Sequence, residues 1–216
     1  MDKEIQRENR LYNRVWKRLL DLFLSALIMI VLSPVLLLLV LAIKLDSRGP
    51  VLFRQKRVGV GKATFPILKF RTMRIDTPHD VPTHMLKDPN QYITRVGRFL
   101  RKTSLDELPQ LWNILVGQMS FVGPRPALWN QYDLISARDL YRANGVRPGL
   151  TGWAQINGRD ELEIGEKAKL DGYYVDHLSF GFDLKCFFGS FTYVLGRRGV
   201  VEGGTGELHR TKGQSK

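Results

Sequence analysis

Leu22–Ile43 reads LFLSALIMIVLSPVLLLLVLAI, 22 positions without a charged side chain. As one helix this run would extend about 33 Å, enough to cross a bilayer core. It is too long for the apolar region of a signal peptide, and no small-residue cleavage site follows, so it reads as retained. Two features argue against a plain span. Ser33-Pro34 sits at its middle, where proline removes a helix hydrogen bond and its ring clashes with the preceding turn. Both flanks are also basic: Lys3, Arg7, Arg10, Arg14, Lys17 and Arg18 before, and Lys44, Arg48, Arg54, Lys56, Arg57 and Lys62 after. Lys/Arg flanks favour the cytoplasmic side. A helix broken at Ser33-Pro34 that enters and returns satisfies both flanks, with the Ser33 hydroxyl a candidate partner for a carbonyl freed at the break. A kinked spanning helix and a buried helix of a soluble core are the alternatives.

Outward from this segment, the chain of 216 residues has room for one ordinary domain with a real core. Hydrophobic residues at 44% and aromatics at 10% exclude wholesale disorder. A single cysteine, Cys186, excludes an internal disulfide framework and a Cys-cluster zinc site, and fits a reducing compartment. Lys and Arg number 33 against 21 Asp and Glu, a formal charge of +12. That balance asks for an anionic partner: nucleic acid, acidic lipid or a phosphate-bearing substrate. Composition does not choose among them.

The predicted organisation is a basic segment and re-entrant helix over 1–46, a catalytic domain over 47–202 and a flexible tail over 203–216. The expected fold class is α/β, mostly α with short strands. Val51-Leu52-Phe53 reads as a strand and Val58–Lys62 as a hairpin turn into Phe65–Phe70; the spacing of a P-loop is lacking. Thr77–Asn90, with three prolines, reads as an exposed loop. Helices are expected over Gln91–Arg101, Leu105–Leu115, Leu128–Asn144, Glu161–Leu178 and Phe182–Leu195, with Arg147–Asn157 a Gly-rich loop plus strand. His79, His84, His177 and His209 show no close metal-ligand spacing, and Cys186 sits among apolar residues as a core side chain.

The sharpest chemical signal is Asp106-Glu107 at the start of the Leu105–Leu115 run. A structural reading is available: Ser104-x-x-Glu107 is a capping box, and Asp106 suits a first helical turn. The surroundings point further. Arg95, Arg98, Arg101 and Lys102 precede the pair, and Pro124-Arg125-Pro126 and Arg147-Pro148-Gly149 come after it. Flanking prolines would hold Arg125 stiffly, as a phosphate clamp requires. Gly149 and Gly152 would allow close backbone approach to a ligand, and Gly158-Arg159 adds another loop arginine. Carboxylates and arginines beside a membrane insert suggest Mg²⁺-assisted chemistry on a lipid-linked phosphate.

KTSLDELPQLWNILVGQMSFVGPRP (Lys102–Pro126), the segment Lys69–Met73, RPGLTGWAQINGR (Arg147–Arg159) and the apolar helix broken at Ser33-Pro34 together closely resemble the bacterial sugar transferase family, the monotopic phosphoglycosyl transferases, in a minimal catalytic form. The resemblance runs from about Arg14 to Gly199. It implies a UDP-sugar donor, a polyprenol phosphate acceptor such as undecaprenyl phosphate, and contact with membrane phospholipid at the cytoplasmic face of a bacterial plasma membrane. It implies that Asp106 is the nucleophile, that Asp106 and Glu107 hold Mg²⁺ (with Mn²⁺ a substitute), and that Lys69, Arg71, Arg101, Arg125, Arg147 and Arg159 contact substrate. UMP would be released through an aspartyl-phosphosugar intermediate, and the product would initiate exopolysaccharide, capsule, O-antigen or glycoprotein glycan synthesis.

Two rivals stand beside this reading. A membrane-bound glycosyltransferase would release UDP rather than UMP. A non-enzymatic module would bind acidic lipid through its charge. Nucleic acid is not an expected partner, since no aromatic-interleaved basic surface or nucleic-acid motif is found. Sugar identity has no short signature, and the sequence does not decide between a monomer and a homodimer.

Overall fold

The computed structural model describes residues 11–77, 91–158 and 162–195. Among these the chain is mostly helical, with short strands. A π-turn, Tyr12–Trp16, runs into α1 (Lys17–Val31), and α2 (Ser33–Asp46) begins after a single residue. The two arms meet at 64°. Pro34 has no N–H to give the Ile30 carbonyl, its ordinary helical partner; the Ser33 hydroxyl donates to that carbonyl instead, at 2.8 Å. The expected donor at the break is thus the observed one. No single described helix is long and apolar enough to cross a membrane.

The apolar segment is bolted to the domain at both ends. Asp46 at the end of α2 accepts from the Val96 N–H, and the Arg71 guanidinium donates to the carbonyl and hydroxyl of Ser47. Arg18 donates to the carbonyls of Ile114 and Leu115, at the C-terminal end of the helix after the acidic pair. Carbonyls there lack intrahelical donors, so an arginine is an apt cap.

Strands β1 (Leu52–Val58) and β2 (Thr64–Phe70) form the expected hairpin, with Leu52 opposite Phe70 and Val58 opposite Thr64. Gly61 and Lys62 turn the chain at positive φ. Helix α3 (Arg95–Thr103) opens on Thr94, whose hydroxyl accepts from the Gly97 N–H; it begins four residues later than the charge pattern suggested. The helix expected over Leu105–Leu115 is instead a 3₁₀ turn, Leu105–Glu107, and a separate α4 (Gln110–Leu115). Pro109 between them lacks the N–H that would carry one ladder through.

Beyond α4, β3 (Ser120–Val122) pairs in parallel with β4 (Gly149–Thr151). Between them lies α5 (Tyr132–Asp139), shorter than the expected Leu128–Asn144 helix. A short α6 (Trp153–Ile156) then leads to α7 (Ile164–Asp176) and α8 (Phe180–Leu195). At Gly149 and Gly152 the close backbone approach is to Gly123: a Cβ on either would fall 2.1 Å from Gly123 backbone atoms. Thr77, expected in an exposed loop, is buried; the remainder of that loop, Arg159 and the tail lie outside the described residues.

The core has three main patches. Phe65 and Ile67 of β2 pack with Leu111, Ile114 and Met119. Val122, Tyr174, Leu178 and Cys186 join β3 to α7 and α8, so Cys186 is a core side chain as expected. Ile43, Phe70 and Leu100 join α2, β2 and α3, and Leu105 and Leu108 pack on this third patch. The residues on either side of the acidic pair, Leu105 and Leu108, are thus anchored on the patch that the second half of the apolar segment joins through Ile43.

Candidate active site

Two local events aim the acidic pair. Ser104 adopts a left-handed conformation, φ 57°, and ends α3. The chain then reverses into the 3₁₀ turn Leu105–Glu107. Ser104 makes no side-chain cap, so the capping-box reading fails: the Glu107 side chain reaches for cations instead. Asp106 is buried, with its side chain only 13% exposed.

A buried asparagine sets the pair against β2. Asn113 of α4 accepts from the Leu68 N–H and donates to the Pro66 carbonyl and the Gln118 side chain. This registers α4 on the strand that carries Lys69. Lys69 Nζ donates to Glu107 Oε1 at 2.7 Å and lies 3.9 Å from Asp106 Oδ2. Arg125 Nη2 donates to the same Glu107 Oε1 at 2.9 Å. Its loop is held on both sides: the Pro124 carbonyl accepts from the Gly149 N–H and the Pro126 carbonyl from Arg57. Arg101 donates to the Thr72 hydroxyl and adds a third positive charge near Asp106.

The two carboxylates are treated oppositely. Burial pushes the Asp106 carboxyl above its ordinary range, and the Glu107 charge adds to this, against Lys69, Arg101 and Arg125. For Glu107 burial pushes the same way, but Arg125 and Lys69 outweigh it and hold its carboxyl well below the ordinary value. Glu107 is therefore a clamped anion. Asp106, beyond hydrogen-bond distance of Lys69, is the less tightly held carboxylate of the two.

Lys69, Arg101 and Arg125 are thus brought to the pair, and two other expected contacts are not. Arg71 is buried and spent on Ser47, a tether for the end of α2. Arg147 turns its guanidinium to the Gly117 carbonyl, beyond the far end of α4. Sequence reasoning missed Asn113 and Thr72, which hold α4 and Arg101 in place; neither sits in a spacing that signals chemistry. Among the described residues no group of three or more His, Cys, Asp and Glu could hold a metal ion. Two adjacent hard-oxygen donors do suit Mg²⁺, which binds through one or two carboxylates together with substrate phosphates and water.

A family model described as bacterial sugar transferase matches residues 12–197. The UDP-glucose:undecaprenyl-phosphate glucose-1-phosphate transferase of Escherichia coli (strain K12) is 45% identical over 185 residues, covering 82% of this chain and 39% of the relative. An uncharacterized sugar transferase of Bacillus subtilis (strain 168), EpsL, is 39% identical over 87% of this chain and 91% of its own length. The exopolysaccharide production protein PSS of Rhizobium leguminosarum bv. phaseoli is 40% identical over 85% of this chain and 96% of its own length. The chain spans about two fifths of the length of the E. coli and Klebsiella pneumoniae relatives.

Proposed function

The chain belongs to the bacterial sugar transferase family, and from that premise we propose that it transfers a sugar 1-phosphate from a UDP-sugar to a polyprenol phosphate, releasing UMP. The observation that carries this reading is the gathering of Lys69, Arg101 and Arg125, from three separate segments, around one acidic pair whose neighbours Leu105 and Leu108 pack on the core patch that Ile43 of the apolar segment joins. Phosphoryl chemistry needs positive charge fixed where phosphate oxygens will lie. A lipid-phosphate acceptor needs that site at the membrane.

Asp106 attacks the phosphorus that bears the sugar. A carboxylate–phosphorus bond forms, the bond to UMP breaks, and UMP leaves with the electron pair. An oxygen of the lipid phosphate then attacks the same phosphorus, and Asp106 departs as a carboxylate. A carboxylate serves as both nucleophile and leaving group, which splits one transfer into two steps. Arg101, Arg125 and Lys69 supply fixed charge for the diphosphate. Asp106 and Glu107 would hold Mg²⁺, with Mn²⁺ a substitute, and the ion would neutralise diphosphate charge when bound.

The 64° bend at Leu32 and the basic flanks favour a re-entrant helix, which would keep both flanks and the site on the cytoplasmic face of the plasma membrane. Since relatives are named for glucose, UDP-glucose is the first donor to test. The experiment is a nucleotide-release screen over UDP-sugars with undecaprenyl phosphate. UMP is the expected product. UDP release would replace this reading with direct glycosyl transfer, and lipid binding reversed by high salt without turnover would replace it with a binding module.

A further inference from the structure

Glu107 gathers two cations on one oxygen. Lys69, near the end of β2, and Arg125, in the loop after β3, both donate to Oε1, at 2.7 and 2.9 Å. They come from positions 38 and 18 residues away along the chain. Two cations this close repel each other, and each side chain is long enough to turn away into solvent. The anion between them opposes both tendencies. The grip is sheltered: the Glu107 side chain is 15% exposed, Lys69 20% and Arg125 30%. Charge-assisted hydrogen bonds of this kind are roughly twice as strong as neutral ones.

We propose that Glu107 is a positioning residue, whose Oε1 sets Lys69 and Arg125 as a two-point seat for the diphosphate of the donor. The seat rests on the donor reading above and adds to it a role for Glu107 that acts through the cations. A nucleoside diphosphate presents oxygens on adjacent phosphorus atoms, so donors fixed this closely meet it at two points. Preorganisation of this kind lowers the ordering cost of binding.

The sign of one measurement tests it. Glu107 is an anion beside an anionic ligand, so charge removal alone predicts tighter binding in Glu107→Gln. The seat predicts weaker binding, because Lys69 and Arg125 lose their anchor. UDP is the probe, titrated in EDTA against the detergent-solubilised full chain carrying Asp106→Asn to prevent turnover. Adding Glu107→Gln should weaken UDP binding about tenfold, equivalent to about 1.4 kcal/mol. Lys69→Met should weaken it comparably, and the two together little further.

Unchanged or tighter UDP binding in Glu107→Gln overturns the seat. Should that variant fail to fold, Lys69→Met and Arg125→Met in a double-mutant cycle decide: non-additive losses support a shared seat, and additive losses overturn it. If the Asp106→Asn parent binds no UDP in EDTA, the same titrations are made with Mg²⁺; no binding by the parent there either overturns the donor reading and the seat with it. Binding by the parent with no loss in Glu107→Gln removes the seat alone.

Discussion

Lys17 and Asp183, 166 positions apart in sequence, form a buried ion pair that joins α1 to α8. The hydroxyls of Tyr12 and Tyr174 donate to the same Asp183 carboxylate, each at 2.7 Å. A buried carboxylate so surrounded is costly to strip of its counter-charge. Lys17→Met should therefore destabilise the fold by about 3–5 kcal/mol, and Lys17→Met with Asp183→Asn should cost less than the sum of the single changes. Thermal unfolding in detergent checks this. A Lys17→Met midpoint equal to wild type would show that the pair does not hold α1 in place.

Asp106→Asn should lower turnover on the order of 10³-fold or more, as removal of a reacting group does in other covalent enzymes. Wild type incubated with UDP-sugar alone should gain a phosphosugar mass at Asp106. The fold should not suffer: burial disfavours the charged Asp106 carboxyl, and asparagine removes that charge at similar size. A clear fall in the unfolding midpoint, or turnover near wild type once deamidation is excluded, contradicts the assignment.

The opposite shifts of the pair separate activity from stability in acid. Asp106 must be ionised to attack, and its carboxyl is raised by burial. Turnover is therefore lost as pH falls through a value above the ordinary aspartate figure of about 3.9. Glu107 is held well below its ordinary value, against its burial, by Arg125 and Lys69. Its contribution to stability is fully present above about 4.3, the unfolded glutamate value, and is lost only as pH falls through the lower folded value. Mild acid should thus stop turnover reversibly while the far-UV circular dichroism is unchanged. Unfolding that precedes loss of kcat/KM would refute this order.

Chelation should abolish turnover, and Mg²⁺ or Mn²⁺ should restore it, since adjacent carboxylates suit hard cations and the described residues offer no Cys/His cluster for zinc. Full turnover in thoroughly metal-free buffer would exclude the metal.

Pro34→Ala restores an N–H to the Ile30 carbonyl and removes the ring clash, which favours a straight helix by about 3 kcal/mol. The basic flanks oppose straightening, so Ser33→Ala with Pro34→Ala should shift topology further than Pro34→Ala alone. The test is labelling from outside intact cells, with single cysteines near Asn9 and near Arg57. Cys186 is fully buried in an apolar cluster, so Cys186→Ala suits the background. Both sites should be protected in the parent, and the Asn9 site should label in the straightened variant, with reduced activity. Labelling at Asn9 but not Arg57 in the parent would mean that the segment spans the membrane.

Sequence by itself determined the features that depend on near neighbours. Pro34 breaks the apolar helix because proline lacks an N–H wherever it stands, and Ser33 lies one residue away to donate in its place. The hairpin register is set by its turn, and the acidic pair is visible because Asp106 and Glu107 are adjacent. Its motifs also place the chain in its family. Tertiary structure decided what each charge does. Lys69 near the end of β2 and Arg71 just after it are two residues apart, yet Lys69 reaches Glu107 while Arg71 is buried against Ser47. Arg125 and Arg147 both lie beside prolines, yet Arg125 meets Glu107 and Arg147 meets the Gly117 carbonyl. An arginine's reach and charge are the same in every loop. Which anion or carbonyl it meets is set by packing between distant segments, here by Asn113 holding α4 on β2 and by Gly123, Gly149 and Gly152 letting two backbones touch.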